Sequence, residues 1–209
     1  IYSYFYEQYH FSKIPSHKRI VVESYSEKGR NYVIFQTLFG RRVNDCLSRS
    51  LAYVIGKSQH RDVEVGMSDN GFYISAEKPF NAMRAFNLVQ QQDLRLILEQ
   101  SLEKSEVLLR RFRHCAGRSL MILRNYMGRT KRVGRMQISS KILFNAVKRI
   151  SNDFPILKEA RREVTEDLMD IQNAEKIILG VVEKNIQVVE VNTSMPSPFA
   201  FGLIMAGYS

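Results

Sequence analysis

From Arg110 to Arg135 the chain reads RRFRHCAGRSLMILRNYMGRTKRVGR, with nine lysines or arginines and no acidic residue. That leaves 22 of the 31 basic residues elsewhere, against 21 acidic ones, so nearly all of the formal charge of +10 comes from one segment. Wound as a helix at roughly 100° per residue, Arg110 to Tyr126 separates into two faces. Leu108, Phe112, Cys115, Ala116, Ser119, Ile122, Leu123 and Tyr126 fall on one side. Arg110, Arg111, Arg113, His114, Arg118 and Arg124 fall on the other, within an arc of about 160° interrupted only by Met121. The glycine-flanked loop that follows adds Arg129, Lys131, Arg132 and Arg135. Guanidinium groups on a rigid element followed by a basic loop suit a phosphate backbone, where charge and bidentate geometry count for more than shape. His114, as a neutral imidazole, adds a hydrogen-bond donor for phosphate or base. The bland alternative is that these cations pair with the acidic helix further along the chain, or are only solvated.

The other groups with chemical potential are weaker. Arg41 and Arg42 follow Phe39-Gly40 at a helix start, where orphan backbone N–H groups favour an anion. Gly56-Lys57-Ser58 imitates the end of a phosphate-binding loop, but position 51 is Leu51 rather than glycine, and a helix precedes it instead of a strand. No ATP site is therefore expected in this chain, and no enzyme activity of its own. Glu159, Glu163, Glu166, Asp167 and Asp170 share much of a helix face, as carboxylates around magnesium would, yet Lys158, Arg161 and Arg162 are interleaved for intrahelical pairing. The histidines lack metal spacing, and Cys46 and Cys115 read as small buried thiols, so no metal or other cofactor is expected.

These groups must be positioned by a fold that the residue pattern outlines as α+β. Arg19–Tyr25 and Asn31–Thr37 are β-branched and aromatic runs around Glu27-Lys28-Gly29-Arg30, an antiparallel hairpin. Val43, Leu47, Leu51 and Val54 recur at helical spacing, and Asp62–Met67 and Gly71–Glu77 form a second hairpin around Ser68-Asp69-Asn70-Gly71. The expectation is a ββαββ antiparallel sheet with one helix over residues 1–77, its first eleven residues extended. A helical bundle follows over 78–209, with a strand at 186–191 returning to the sheet, so that both parts form one structural unit. Within the bundle, Ser139 or Ser140 is expected to cap one helix; Asp153 caps the next, which Pro155 opens. The proline-punctuated tail Pro196-Ser197-Pro198-Phe199-Ala200-Phe201 is apolar enough to dock. With 44% apolar and 25% charged residues and no apolar run of membrane-spanning length, the chain reads as globular, and the cytoplasm as its default location. It starts at Ile1 rather than methionine, and a piece of a longer polypeptide is the expectation.

Four motifs in order carry a family resemblance: Phe39-Gly40-Arg41-Arg42-Val43-Asn44-Asp45, Arg111 to Arg118 (RFRHCAGR), Asp153-Phe154-Pro155 with Glu159-Ala160-Arg161-Arg162-Glu163, and Pro196 to Phe201. Over positions 14 to 203 the chain resembles the C-terminal accessory region, or DEAD/H-associated domain, of the large helicase-related (Lhr) group of superfamily 2. The resemblance implies a parent that is an ATP-dependent helicase translocating 3′ to 5′ on single-stranded DNA, with roles in repair or recombination. It also implies two RecA-like motor domains, using ATP and magnesium, and a winged-helix domain in the same polypeptide. What transfers to this chain is the accessory role. The expected partner is single-stranded or forked DNA, or RNA, held without sequence specificity at its phosphates; the alternative is a structural module docking on the motor domains or on another protein.

Overall fold

The computed structural model describes residues 2–123, 125–126, 129–130 and 133–207. Two compact units emerge, one built from Ile1–Leu98 with Met169–Ser209 and the other from Glu99–Leu168. The sheet expected within residues 1–77 thus draws further helices from beyond residue 77, and the division falls around an inserted helical stretch rather than at that position.

The first unit centres on five strands. β1 (Arg19–Glu27) and β2 (Arg30–Gln36) form the first hairpin, and β3 (Glu64–Ser68) and β4 (Gly71–Ala76) the second. β2 and β4 pair antiparallel, which joins the hairpins. The late strand β7 (Gln187–Asn192) returns as expected and pairs parallel to β1, giving the order β3-β4-β2-β1-β7. Side-chain alternation sends Val33 and Phe35 to one face and Tyr32 and Ile34 to the other. On the first face Phe35 stacks on Phe72 at 4.8 Å and meets Phe86 of α3 (Ala82–Gln90), beside α2 (Arg41–Gln59) and α8 (Ile171–Val182). On the second, Tyr25, Tyr32, Ile34 and Tyr73 bury Ala200, Leu203 and Ile204 of α9 (Pro198–Gly207). The second hairpin needs glycine at position 71, whose φ is +149° and where a Cβ would lie 2.2 Å from the Phe35 carbonyl oxygen.

Two polar features lock this unit. Glu23 is fully buried and accepts hydrogen bonds from the Ser197 N–H at 2.6 Å, Gln36 Nε2 at 3.0 Å and Thr193 Oγ1 at 3.3 Å. Gln8 Oε1 accepts from the Phe199 N–H at 3.0 Å, so the proline-punctuated tail docks through backbone amides. The extended conformation expected for residues 1–11 is not found. Tyr2–Phe11 form helix α1, because helical winding brings Tyr4 and Phe5 onto Phe199 and buries Gln8, and these tertiary contacts outweigh the strand preference of aromatic residues.

The second unit is helical. α4 (Leu94–Leu102) leads into it, followed by α5 (Glu106–Arg118), α6 (Val133–Ile150) and α7 (Pro155–Arg162), the last continuing as a π-helical turn over Glu163–Leu168. Phe112 of α5 meets Phe144 of α6 edge to face at 5.1 Å, and Leu108, Cys115, Ala116, Leu157 and Ala160 complete the core. Pro155 opens α7, as expected, but Asp153 does not cap it; Phe154 holds the cap position without a side-chain bond. Ser139 and Ser140 lie inside α6, and Ser140 Oγ donates to the Gln137 carbonyl instead of capping a helix. Among the described residues no helix is long and apolar enough to cross a membrane.

Candidate nucleic-acid interface

The charge is concentrated in the helical unit. Glu99–Leu168 contain sixteen lysines and arginines against eight acids, a net +8, whereas the sheet unit carries fifteen against thirteen, a net +2. No acid occurs between Val107 and Asn152, a span with twelve basic residues.

α5 presents the first part of the ridge. Ser105 caps it by accepting from the Leu108 N–H, and Leu108, Phe112, Cys115 and Ala116 turn inward as the periodicity predicts. The helix stops at Arg118 instead of running to Tyr126. Its end is closed by the Ile122 N–H donating to the Ala116 carbonyl, with Leu120 at φ +59°, and this return buries Ile122 while leaving Ser119 and Leu123 outside the core. Tyr126 and Asn125 form β5 (Asn125–Tyr126), a two-residue strand paired antiparallel with β6 (Arg129–Thr130). Arg129 thus lies on a strand and Arg135 in the first turn of α6, so part of the expected loop is regular structure. Arg124, Lys131 and Arg132 lie outside the described residues.

The four arginines of α5 and His114 fall into two groups. Arg111 Nη1 donates to Glu163 Oε2 at 3.1 Å, and Arg118 Nη2 donates both to Glu163 Oε1 and to Cys115 Sγ. Glu163 is only 4% exposed. Burial pushes its carboxyl pKa up, but the guanidiniums of Arg118 and Arg111 outweigh that penalty and hold it below the usual carboxylate range. Arg110 and His114 are exposed and Arg113 half-buried, and among the described residues none of the three has an ion-pair partner. The alternative of pairing with the acidic helix therefore applies to two of these side chains.

The π-helical turn explains which acid reaches them. Thr165 Oγ1 donates back to the Arg161 carbonyl, and the widened turn buries three consecutive residues, Glu163, Val164 and Thr165. The remaining acids of the cluster are otherwise engaged: Glu159, Glu166 and Asp167 surround Arg162 at 2.8 to 3.8 Å, and Asp170 caps α8. Glu103 forms a parallel arrangement that the residue pattern did not suggest, taking Lys148 and Arg161, the latter through two bonds of 2.6 and 3.1 Å. A usable signal for Glu163 was its place beside Leu157, Ala160 and Val164, a row of buried spacing in which a carboxylate requires a partner.

In the sheet unit, Gly40 starts α2 at φ +85° with no side chain to cap it, and Asp69 accepts from the Arg41 N–H at 3.3 Å. The Arg41 side chain is exposed; Arg42 reaches the Met169 carbonyl at 2.9 Å and so is held against the protein. Gly56-Lys57-Ser58 sits within α2, not on a phosphate loop. Cys46 and Cys115 are free and buried; burial drives the Cys46 thiol up to about 12 and raises that of Cys115.

Residues 14–200 match the family described as DEAD/H associated, and the chain belongs to that family. It is 49% identical to the ATP-dependent helicase Lhr-Core of Methanothermobacter thermautotrophicus, an alignment that covers all of this chain and 24% of that protein. It is 43% identical to the ATP-dependent helicase Lhr-Core protein 2 of Thermococcus barophilus, with the same coverage. The chain thus spans about a quarter of the length of these relatives. Its fold also superposes on the solved structure of the Mycobacterium smegmatis helicase Lhr bound to ssDNA and AMP-PNP, with a TM-score of 0.81 and 25% identity over 96% of this chain and 26% of that one.

Proposed function

We propose that this chain is the accessory nucleic-acid-binding domain of an ATP-dependent DNA helicase that moves 3′ to 5′ and serves DNA repair or recombination. The motor would be two RecA-like domains, which bind ATP and magnesium, with a winged-helix domain in the same polypeptide. The domain holds the phosphates of single-stranded or forked DNA on Arg110, Arg113 and His114 and on the basic positions that follow, from Arg124 to Arg135. The observation that carries this reading is the acid-free span from Val107 to Asn152, on which these α5 side chains are left without ion-pair partners among the described residues. Guanidinium charge without directed base contacts favours phosphate over base edges. Arg111 and Arg118 are held by Glu163 and serve first to fix the ridge.

A second reading is favoured by that same pairing: a carboxylate already docks on α5, so the ridge is a surface that can accept acidic side chains of a motor domain. Oligonucleotide binding separates the two. The chain is expected to bind a fluorescent oligothymidylate with an affinity that falls steeply between about 50 and 200 mM salt, as counterion release requires. Absence of binding at the lowest salt would sink the phosphate reading and leave the docking surface.

A further inference from the structure

The sheet unit holds a cavity of about 490 Å³ that the charged ridge does not use. Tyr4 and Phe5 of α1 and Phe199 of α9 form its wall, and Asp69 and Asn70 of the turn between β3 and β4 lie at its rim. The wall is fixed in place. Tyr4 Oη donates to the Pro198 carbonyl at 3.0 Å, its ring lies 5.1 Å from that of Phe199, and Phe5 meets Phe199 edge to face at 5.4 Å. The rim is chemically open: Asn70 is exposed, and among the described residues its side-chain amide has no hydrogen-bond partner. The volume falls in the range of small-molecule sites, where apolar walls and a few polar groups set orientation.

Cations lie near the cavity. Beyond Ile14, which lines both, lies a second cleft bounded by Tyr9, His10, Lys13 and Arg19, without an acid. Asp69, at the rim, takes the backbone N–H of Arg41, whose exposed side chain stands at the start of α2. An aromatic slot with basic groups nearby suits a single strand, in which each flat base is flanked by two phosphates.

We infer that this cavity receives one unpaired base of a single-stranded nucleic acid. The ring packs on Phe5 and Phe199, the base edge meets the Asn70 amide, and the flanking phosphates run toward Lys13 and Arg19 and toward Arg41. The inference rests on the nucleic-acid reading of the ridge and adds to it a contact that requires a base. Gly202 provides the test, because it lines the cavity from α9 and a Cβ there meets only Tyr4 Oη at 3.6 Å, an ordinary contact. Gly202→Leu therefore fills the slot without removing any wall residue.

Binding of an oligothymidylate is compared with that of an abasic oligomer of the same length and charge, for the chain and for Gly202→Leu and Asn70→Ala, with thermal melts confirming that the variants fold. The chain is expected to prefer the base-bearing strand by about tenfold, the scale of one aromatic stacking contact. Gly202→Leu abolishes the preference without weakening abasic binding, and Asn70→Ala reduces it. Equal binding of the two oligomers by the unmodified chain would overturn the base slot and leave the ridge standing. A preference that survives in folded Gly202→Leu would also overturn it, because the base would then be held elsewhere. Loss of both oligomers at low salt would overturn the slot and the ridge together.

Discussion

Glu23 and Glu163 are both carboxylates withdrawn from water, but they are satisfied in opposite ways. In the sheet unit Glu23 is surrounded by neutral donors: a backbone amide, a carboxamide and a hydroxyl. In the helical unit Glu163 is met by two guanidiniums. The first arrangement closes the tail of the chain onto the sheet and leaves the surface charge unaltered. The second sorts four arginines and a histidine on one helix into a pair that is held and a trio without ion-pair partners among the described residues. Where net charge is +2 the buried acid serves architecture, and where it is +8 the buried acid shapes an electrostatic surface.

The contrast is broken most forcefully at Glu23. Glu23→Ala removes the acceptor of two buried donors, the Ser197 N–H and Gln36 Nε2, and of the half-buried Thr193 hydroxyl, and a loss of about 3 kcal/mol is expected. Urea unfolding measures it, and the salt dependence of oligonucleotide binding stays as it was. Glu163→Gln is expected to cost less, about 1 kcal/mol, because the Arg118 side chain is 63% exposed and can return to water once released. The same substitution frees two cations, so affinity for a single strand should rise while the melting temperature falls by a few degrees. A variant that loses both stability and affinity would mean that Glu163 positions the ridge more than it neutralises it.

Acid sharpens the comparison further. Burial raises the pKa of Glu163 and Glu103, but Arg118 and Arg111 for the one, and Lys148 and Arg161 for the other, bring the folded values below the ordinary range. Their stabilisation is therefore complete above the unfolded value of about 4.3 and is lost as pH falls through the lower folded values. Melting temperature followed downward from about pH 5 should drop for the chain and drop less for Glu163→Gln combined with Glu103→Gln. Identical slopes would remove these pairs from the acid response.

Much of the fold was legible because its signals are local. The turns at Glu27–Arg30 and Ser68–Gly71 flank alternating strands, and α2 repeats its apolar residues at helical spacing. The inward face of α5 was legible for the same reason, down to Phe112, Cys115 and Ala116. Its early stop was not, since no proline marks it and the chain turns on Leu120 at positive φ, a conformation uncommon for leucine. α1 was misread because its aromatic residues favour strands in isolation, and what makes it helical lies some 190 residues away in Pro198 and Phe199. Which arginines would be free was illegible in the same sense. The acidic helix was visible as a possible partner, but the choice of Arg111 and Arg118 over Arg110 and Arg113 depends on a π-helical turn that residue spacing does not announce.

The division of the ridge is tested most directly by the slope of log affinity against log salt for a single-stranded oligomer, measured for the chain and for Arg110→Ala combined with Arg113→Ala. Each phosphate contact on a single strand adds about 0.7 to that slope. The account predicts a slope shallower by about 1.4 when both unpaired arginines are removed. An unchanged slope would contradict it, because the side chains that Glu163 leaves free would then not be the ones that meet phosphate.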